Sequence, residues 1–228
     1  MLEQEIVNKL SKELQIAPEF VSREAWEIII LKELFEKKWS KNLVFKGGTA
    51  LRLAYGSPRF SVDLDFSVLG KINPKDFFDF LNDLAKKYPE LDIVDKQDKF
   101  YTLLAEIRVR ETYLPRSFLV KIEISKREKQ FKKSEWAPKI LKTPAYPVEV
   151  IANVTTLEKI YSDKIEAIKT REAPRDMFDV WYLSEILKKP YEIPKTKLSK
   201  KEIKSDLNKF VPKNYQKAVE FIIKNIKN

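Results

Sequence analysis

The chain of 228 residues contains no histidine and no cysteine. These absences exclude Ser-His-Asp and Cys-His triads, thiolate redox chemistry, histidine-based RNA cleavage and tetrahedral Cys/His zinc sites. A catalytic metal would therefore be a hard ion held by oxygen, with Mg²⁺ or Mn²⁺ as the expected candidates. A general acid or base would have to be Asp, Glu, Lys or Tyr.

Long hydrophobic runs are missing as well. The longest one near the N-terminus, Ile28–Leu31, lies between Glu27 and Lys32 and is far too short to cross a bilayer or to act as the apolar part of a signal peptide. We therefore expect a cytoplasmic protein that has no membrane partner.

The composition predicts a folded protein with an anionic partner. Hydrophobic residues make up 43% and aromatic residues 12% of the chain, which is enough to bury a core. Lys and Arg number 44 against 34 Asp and Glu, giving a net charge of +10, and such an excess favours a polyanionic partner. A generic basic protein is the alternative interpretation.

Hydrophobic periodicity predicts strands interleaved with helices, followed by helices alone. Prolines 138, 144 and 147 are expected to break regular structure, and Thr155-x-x-Glu158 is a candidate capping box. This order predicts an α/β (α+β) fold: residues 1–152 form a mixed β-sheet core with N-terminal helices, and residues 153–228 a helical C-terminal part. We expect helices over 2–14, from Pro18, over 49–55, from Pro74, over 155–171, from Pro174 and twice after Pro194, strands over 43–45, 59–68, 118–125 and 148–151, and a hairpin over 91–110.

Glycine is scarce, and all four glycines, at positions 47, 48, 56 and 70, lie within one stretch of 24 residues. Gly47-Gly48 falls between a predicted strand and a predicted helix, a position where backbone N–H groups and a helix N-terminus can receive phosphate. A turn that needs glycine only for steric reasons is the alternative. The pattern matches neither the dinucleotide-binding fingerprint nor the P-loop.

The next predicted strand carries two carboxylates on one face. Alternation places Ser61, Asp63, Asp65 and Ser67 on the same side, with the two aspartates roughly 6.5–7 Å apart along the backbone. Like charges this close repel each other unless a cation lies between them. An ordinary solvated face is less favoured, because aspartate lowers the strand propensity.

A third carboxylate comes from the strand over 118–125, where Lys121, Glu123 and Ser125 share a face. If this strand neighbours the strand of Asp63 and Asp65, Glu123 completes an oxygen-rich triad. An exposed glutamate beside Lys121 is the alternative.

Two charged residues lie inside apolar helical stripes. Lys164 shares its stripe with Leu157, Ile160 and Ile168, and Asp176 is in register with Leu183 on the next helix. Lysine is rarely buried without a partner, so the two residues indicate either a shared polar pocket or a structural Lys164–Asp176 ion pair.

Four motifs together resemble a known family. This order of motifs is similar to that of the AbiEii/AbiGii-type toxins of prokaryotic toxin–antitoxin and phage-defence systems, which belong to the DNA polymerase β-like nucleotidyltransferase superfamily. The resemblance covers about residues 40–187. The motifs are Lys46-Gly47-Gly48-Thr49-Ala50-Leu51, Arg59-Phe60-Ser61-Val62-Asp63-Leu64-Asp65-Phe66, Asp163-Lys164-Ile165-x-Ala167 and Arg175-Asp176-x-x-Asp179.

The resemblance implies an enzyme that binds an NTP and Mg²⁺ or Mn²⁺ and transfers a nucleotide to an acceptor, which for some relatives is the 3′ end of tRNA. It also implies a cognate antitoxin. By this resemblance, the metal ligands are Asp63, Asp65 and Glu123, of which Glu123 also positions or deprotonates the acceptor hydroxyl, and Asp176 orients Lys164 or contacts the nucleotide. The implied nucleotide-binding residues are Lys46, Gly47, Gly48, Thr49, Arg59, Ser61 and Lys164.

Two departures from the superfamily pattern accompany the resemblance. The gap from Gly48 to Asp63 is longer than in the wider superfamily, and Glu123 stands where aspartate is commoner. A protein hydroxyl as the acceptor, or a catalytically inactive nucleotide- or protein-binding module, are the alternative functions.

The C-terminal residues concentrate the positive charge. The last 44 residues hold 12 Lys and 5 acidic residues, so that +7 of the total +10 lies there. This distribution is typical of a nucleic-acid contact and predicts RNA binding by residues 185–228. A solvated helix face is the alternative.

Overall fold

The computed structural model describes residues 3–127, 131–191 and 196–226. Single 3-10 helical turns occur at residues 38–42, 133–135 and 213–215. The helices and strands of the described residues are α1 (Gln4–Leu14), α2 (Pro18–Phe35), β1 (Leu43–Lys46), α3 (Gly47–Tyr55), β2 (Asp63–Val68), α4 (Pro74–Lys87), β3 (Leu91–Lys99), β4 (Thr102–Val109), β5 (Phe118–Ser125), β6 (Trp136–Thr143), β7 (Tyr146–Thr155), α5 (Leu157–Thr170), α6 (Pro174–Leu187), α7 (Lys200–Phe210) and α8 (Gln216–Lys224).

The seven strands form one mixed sheet in the order β3-β4-β5-β2-β1-β7-β6. β2 runs parallel to β5 and β1 runs parallel to β7, while the other neighbours are antiparallel. The predicted α/β (α+β) fold with a mixed sheet flanked by helices is therefore confirmed. The parallel pairing also confirms that the strand of Glu123 lies beside the strand of the two aspartates.

Helix α2 is buried around almost its whole circumference, which is typical of a helix in the middle of a core. Two of its glutamates are matched by specific partners: Glu24 pairs with Arg52, and Glu33 accepts a 2.7 Å hydrogen bond from Lys87. Burial raises the pKa of Glu27 well above its usual value, which favours the uncharged carboxyl.

The two faces of β2 have different environments. The ring of Phe66 lies 6.2 Å from that of Phe35 in α2 and 5.1 Å from that of Phe45 in β1. Because neighbouring side chains of a strand point to opposite faces, Asp63 and Asp65 lie on the side of the sheet away from α2. The core of the sheet thus fixes which face carries the carboxylates.

A second hydrophobic cluster joins the C-terminal helices. A capping box helps to start α7, because the Ser199 hydroxyl accepts from the Glu202 N–H and the Glu202 carboxylate accepts from the Ser199 N–H. The division of the chain into a core over residues 1–152 and a helical part over residues 153–228 stays a prediction. The buried members of this cluster are Ile168, Met177, Phe178, Val180, Ile203, Leu207, Val211, Ala218, Val219, Ile222 and Ile226.

The expectation that prolines 138, 144 and 147 prevent regular structure is wrong. Strands β6 and β7 form an antiparallel hairpin here, and β7 is longer than the predicted strand over 148–151. Pro138 is tolerated because β6 is the edge strand of the sheet, where a missing N–H need not leave a ladder bond unmade.

Two boundaries also differ from expectation. β2 begins at Asp63 and not near residue 59, because the backbone of Phe60 donates to the carbonyl of Phe210 at 2.8 Å and does not join the sheet. The capping box predicted at Thr155 is absent, since its hydroxyl donates to the carbonyl of Phe45 and Thr156 occupies the N-cap.

In the part of the chain that the structure describes, no helix is long and apolar enough to cross a membrane.

Burial in the second cluster predicts a matched pair of isoleucine variants. Ile222 of α8 is completely buried, so Ile222→Ala should lower the free energy of unfolding by about 2–5 kcal/mol. Ile186 of α6 is 40% exposed, and Ile186→Ala should change it by less than about 1 kcal/mol. Urea unfolding followed by tryptophan fluorescence measures both, and equal losses would contradict this packing.

Candidate active site

The turn between β1 and α3 brings the backbone close to two other elements. Gly47 has a φ of +82°, and a Cβ at this position would lie 2.7 Å from Oδ2 of Asp65. A Cβ on Gly48 would collide with the guanidinium of Arg59 and lie 2.9 Å from the Ser61 hydroxyl. Both glycines are therefore required for close approach. The steric reason given as an alternative holds, and it does not compete with phosphate binding by the same N–H groups.

The two aspartates of β2 lie in a partly enclosed position. Burial and the negative charge of Asp63 raise the pKa of Asp65, while Lys46 on the adjacent strand opposes that shift. The Thr49 hydroxyl donates a 2.6 Å hydrogen bond to the carbonyl of Asp63. It fixes the start of α3 to the start of β2, so the structure gives this hydroxyl a partner other than the expected triphosphate.

Glu123 lies directly opposite Asp65 in the parallel pairing of β2 with β5. Its carboxylate is 3.0 Å from the ammonium of Lys121, which itself lies opposite Asp63. Burial would lower the pKa of Lys121, but the hydrogen bond to Glu123 and the charges of the aspartates raise it. The strands are therefore adjacent as predicted, and the ion pair with Lys121 named as the alternative is also present.

A cavity of about 620 Å³ opens above these strands. Asp65 and Glu123 lie on one side of it, next to the Gly47-Gly48 turn. Helix α5 forms another wall, which contributes Lys164 and, just after the helix, Arg171. The cavity therefore combines carboxylates, backbone N–H groups and cations in one space.

The oxygen donors of this site fit a hard divalent cation. Burial first and the negative charge of Asp63 second raise the pKa of Asp65, and a cation bound between the two carboxylates would offset both effects. Among the described residues, no group of three or more acidic side chains is close enough to hold a metal. The two aspartates fit the predicted site, whereas Glu123 is bound to Lys121.

Behind the cavity lies a chain of alternating charges. Asp179, which is completely buried, accepts two 2.7 Å hydrogen bonds from Arg59 and lies 2.6 Å from the Lys164 ammonium. Lys164 also donates to Asp176 at 2.7 Å, and Asp176 accepts from Arg171 at 2.8 Å. The structural ion pair Lys164–Asp176 named as the alternative is thus present, while a contact of Asp176 with the nucleotide stays a prediction.

The pKa values of the two buried aspartates follow from this chain. Burial alone would raise the pKa of Asp179, but the charges and hydrogen bonds of Arg59 and Lys164 lower it to about 2. The pKa of Asp176 is likewise lowered, because Lys164 and Arg171 outweigh its burial. Both carboxylates therefore stay ionised at neutral pH.

Two members of this chain were not assigned roles from the sequence. Asp179 belongs to the fourth motif without an assigned function, and Arg171 marks only the predicted end of a helix. The signal for Asp179 was available, because an aspartate three residues after Asp176 points towards the same neighbours on a helix. Nothing in the sequence near Arg171 marks it, since its position in the cavity depends on how α5 and α6 meet.

The structure places the expected nucleotide-binding residues in two groups. Lys46 lines the cavity together with the two glycines and Lys164. Arg59 and Ser61 lie against Gly48, and Arg59 is 2% exposed, with its guanidinium bound to Asp179 and to the carbonyl of Phe60. A direct nucleotide contact by Arg59 or Ser61 stays a prediction, while their contact with the glycine turn is observed.

Comparison with solved structures shows the same fold in other proteins. The crystal structure of JHP933 from Helicobacter pylori aligns with a TM-score of 0.58 and 24% identity, covering 92% of this chain and 79% of that one. A second H. pylori crystal structure gives 0.57 and 23% over 92% and 82%. MenT4, a nucleotidyltransferase toxin from Mycobacterium tuberculosis H37Rv, gives 0.49 and 16% over 81% and 62%. No curated protein matches the chain.

The class of the protein follows from a match to a family model. The family model for the nucleotidyl transferase AbiEii toxin of type IV toxin–antitoxin systems matches residues 29–224. The chain therefore belongs to the AbiEii family and is a nucleotidyltransferase of the toxin–antitoxin type.

The buried charge chain predicts a large effect at Asp179. Asp179→Asn leaves the guanidinium of Arg59 buried without its counter-charge and should cost about 3–5 kcal/mol of unfolding free energy. The lowered pKa means that ionised Asp179 stabilises the fold above about pH 4, a contribution lost as the pH falls towards 2. Urea unfolding between these pH values should show a steeper loss of stability in the parent than in the variant, because Asp176 and other carboxylates still titrate in both.

Asp79→Asn is the matched control, because Asp79 pairs with Lys75 on the exposed face of α4. It should change the unfolding free energy by less than about 1 kcal/mol. A loss at Asp179 no larger than that at Asp79 would show that the buried chain is not a stabilising connection.

Proposed function

We propose that this nucleotidyltransferase uses Mg²⁺ or Mn²⁺ to transfer a nucleotide from an NTP to an RNA acceptor, the 3′ end of tRNA. The observation that carries the proposal is the pair of carboxylates on one face of β2, of which Asp65 lies against the glycine turn and lines a cavity of about 620 Å³. Family membership supports an NTP substrate and an antitoxin partner. Cytoplasmic location and a role in phage defence stay predictions from the sequence.

Nucleotidyl transfer requires attack on an α-phosphate, and Asp63 and Asp65 are the residues that would hold the metal. When bound, the metal offsets the negative charge that develops on the attacking and leaving oxygens. The protein supplies the rigid part of this arrangement, because β2 is clamped between β1 and β5 and Thr49 ties its first residue to α3. Rigid positioning is what such a reaction needs from its protein.

The glycine turn and helix α5, which form the other walls of the cavity, offer groups that could bind phosphate. The glycine turn offers backbone N–H groups at the N-terminus of α3, where an anion is favoured. Behind α5, three cations meet two carboxylates, because Arg59, Lys164 and Arg171 pair with Asp176 and Asp179. These five side chains together therefore carry one excess positive charge. The two of them that line the cavity, Lys164 and Arg171, are both cations.

The acceptor hydroxyl is assigned to the side of Glu123. Its carboxylate is an acceptor of hydrogen bonds within the cavity, and Lys121 holds it at 3.0 Å. From this position Glu123 can orient the acceptor hydroxyl or accept its proton. To bind the metal as well, the Glu123 carboxylate would have to give up its ion pair with Lys121. Tyrosine and lysine are the other candidates for the base in a chain without histidine.

The C-terminal helices support the RNA assignment. Four lysines from α7 and α8 surround an open groove of about 510 Å³, with one glutamate among them. The lysines are Lys200, Lys201, Lys204 and Lys224. Several cations along one groove favour a polyanion such as a nucleic-acid backbone over a single anion.

The metal assignment is tested with Asp63→Asn and Asp65→Asn. Each variant should lose nucleotide transfer by roughly 100-fold or more and should also bind Mn²⁺ more weakly in calorimetry. The melting temperature should stay the same or rise, because a repelling charge is removed. The assay combines the protein with Mg²⁺, each labelled NTP in turn, and total RNA or total protein as the acceptor.

Asp92→Asn is the control, since Asp92 lies on β3 and pairs with Arg108 and Arg110 at the surface. It should transfer as the parent does. Full transfer by either site variant would contradict the metal assignment, and label found in protein and not in RNA would favour the protein-hydroxyl alternative.

The basic groove is tested by charge removal. Replacing Lys200, Lys201 and Lys204 with Gln should weaken RNA binding and flatten its log–log salt dependence by roughly 0.7–0.9 per lost contact, while NTP binding is unchanged. The charge-matched control replaces Lys71, Lys75 and Lys86, which are exposed around α4. Equal affinity and slope for parent and groove variant would show that the groove is only a solvated face.

A further inference from the structure

The hairpin of β3 and β4 ends in two exposed aromatic residues. Lys99 pairs with Thr102 across the hairpin, so Phe100 and Tyr101 form its two-residue loop. Phe100 is 84% exposed and Tyr101 is 53% exposed, and their rings meet edge to face with centroids 4.5 Å apart. We call these two residues the aromatic tip.

Neither turn geometry nor core packing accounts for the aromatic tip. Neither Phe100 nor Tyr101 has the positive φ that favours Asn or Gly in a two-residue loop, and nothing in this backbone conformation calls for an aromatic residue. Neither ring belongs to the hydrophobic clusters of the described residues. Two adjacent aromatic rings held in water at a loop are therefore available for a contact outside the chain.

The aromatic tip adjoins the active-site cavity. The N–H of Lys126 donates to the carbonyl of Tyr101 at 2.8 Å, which fixes the tip to the end of β5. Arg127 lies 5.4 Å from the centre of the Tyr101 ring and also lines the cavity. Glu123 is three residues before Lys126, roughly 10 Å along an extended strand.

Lys126 and Arg127 are cations beside the tip. They begin a run, residues 126–133, that contains five basic residues and one acidic residue in the sequence, and residues 128–130 of this run lie outside the described part of the structure. Of these, Lys126 is paired with Asp98 of β3 at 2.5 Å, whereas the Arg127 guanidinium faces the Tyr101 ring. Aromatic faces interleaved with cations are the combination that binds single-stranded nucleic acid, because bases stack on the rings and phosphates meet the charges.

We infer that Phe100 and Tyr101 are a base-stacking platform for the single-stranded end of the RNA acceptor, which they guide past Arg127 to the acceptor side of the cavity. This inference rests on the proposed function. It assigns to the tip the nucleotides next to the reacting end, while the lysines of α7 and α8 hold a more distant part of the RNA. Stacking on rings tolerates any base, so the tip selects an unpaired end and not a sequence.

The test measures the affinity of fluorescein-labelled oligouridylate RNA by fluorescence anisotropy at several salt concentrations. The double variant Phe100→Ala with Tyr101→Ala should bind the RNA on the order of 10-fold more weakly for each ring removed. The log–log salt slope should be unchanged, because no charge has been removed. The melting temperature and the binding of a fluorescent NTP should also match the parent.

Three single variants separate stacking from general hydrophobic contact. Phe100→Tyr keeps an aromatic face and should retain the parental affinity, whereas Phe100→Leu keeps an apolar side chain without such a face and should bind more weakly. Ile151→Ala removes a side chain that is 73% exposed on β7, near the opposite edge of the sheet. It should bind RNA as the parent does.

Parental affinity in the double variant, or in Phe100→Leu, would overturn the platform while leaving RNA transfer by the parent intact. A parent that neither binds oligouridylate nor labels total RNA would overturn the proposed acceptor and the platform together. Sedimentation provides a further outcome: a parental dimer that becomes a monomer in the double variant, with RNA affinity unchanged, would assign the tip to a contact between copies.

Discussion

The buried carboxylate of Asp179 is the connection on which the arrangement of the site depends. It binds Arg59, which precedes β2 and fills the space beside Gly48, and it binds Lys164 on α5. One side chain therefore fixes the glycine turn and the opposite wall of the cavity relative to each other. A buried charge without its partner is costly, so an arrangement that separates these groups would lower the free energy of unfolding by several kcal/mol.

Both walls of the cavity carry charged side chains, with Lys46 on the sheet side and Asp163 and Glu166 on the side of α5 in addition to the groups of the site. The carboxylates of β2 and β5 lie on the sheet side of the cavity, while Lys164 and Arg171 lie on the side of α5. A nucleotide triphosphate carries a charge that suits the second side, and a divalent cation suits the first. Asp176 keeps Lys164 and Arg171 in place through the hydrogen bonds it accepts from them. The cations are thus oriented before any ligand arrives, which lowers the cost of binding.

RNA contacts would extend over two separate surfaces. The residues that line the basic groove of α7 and α8 are four lysines, a glutamate and an isoleucine, whereas the aromatic tip offers two exposed rings with Arg127 beside one of them. The first kind of surface binds a backbone and the second kind binds unpaired bases. Such a division is consistent with an acceptor that has a structured body and a single-stranded end, and it makes the two contacts separable by their salt dependence.

The sequence by itself determined the fold class, the alternation of strands and helices, and the placement of Asp63 and Asp65 on the same face of one strand. These features could be predicted because the strand period, the helix period and the positions of glycine are local properties of the sequence. It also placed Lys164 and Asp176 among apolar neighbours. Only the tertiary structure decided that Glu123 pairs with Lys121, that Arg59 is committed to Asp179, that Pro138 lies on an edge strand and that Arg171 reaches the cavity. Each of these facts depends on contacts between segments far apart in the chain, and local spacing carries no information about which partner a long charged side chain will meet.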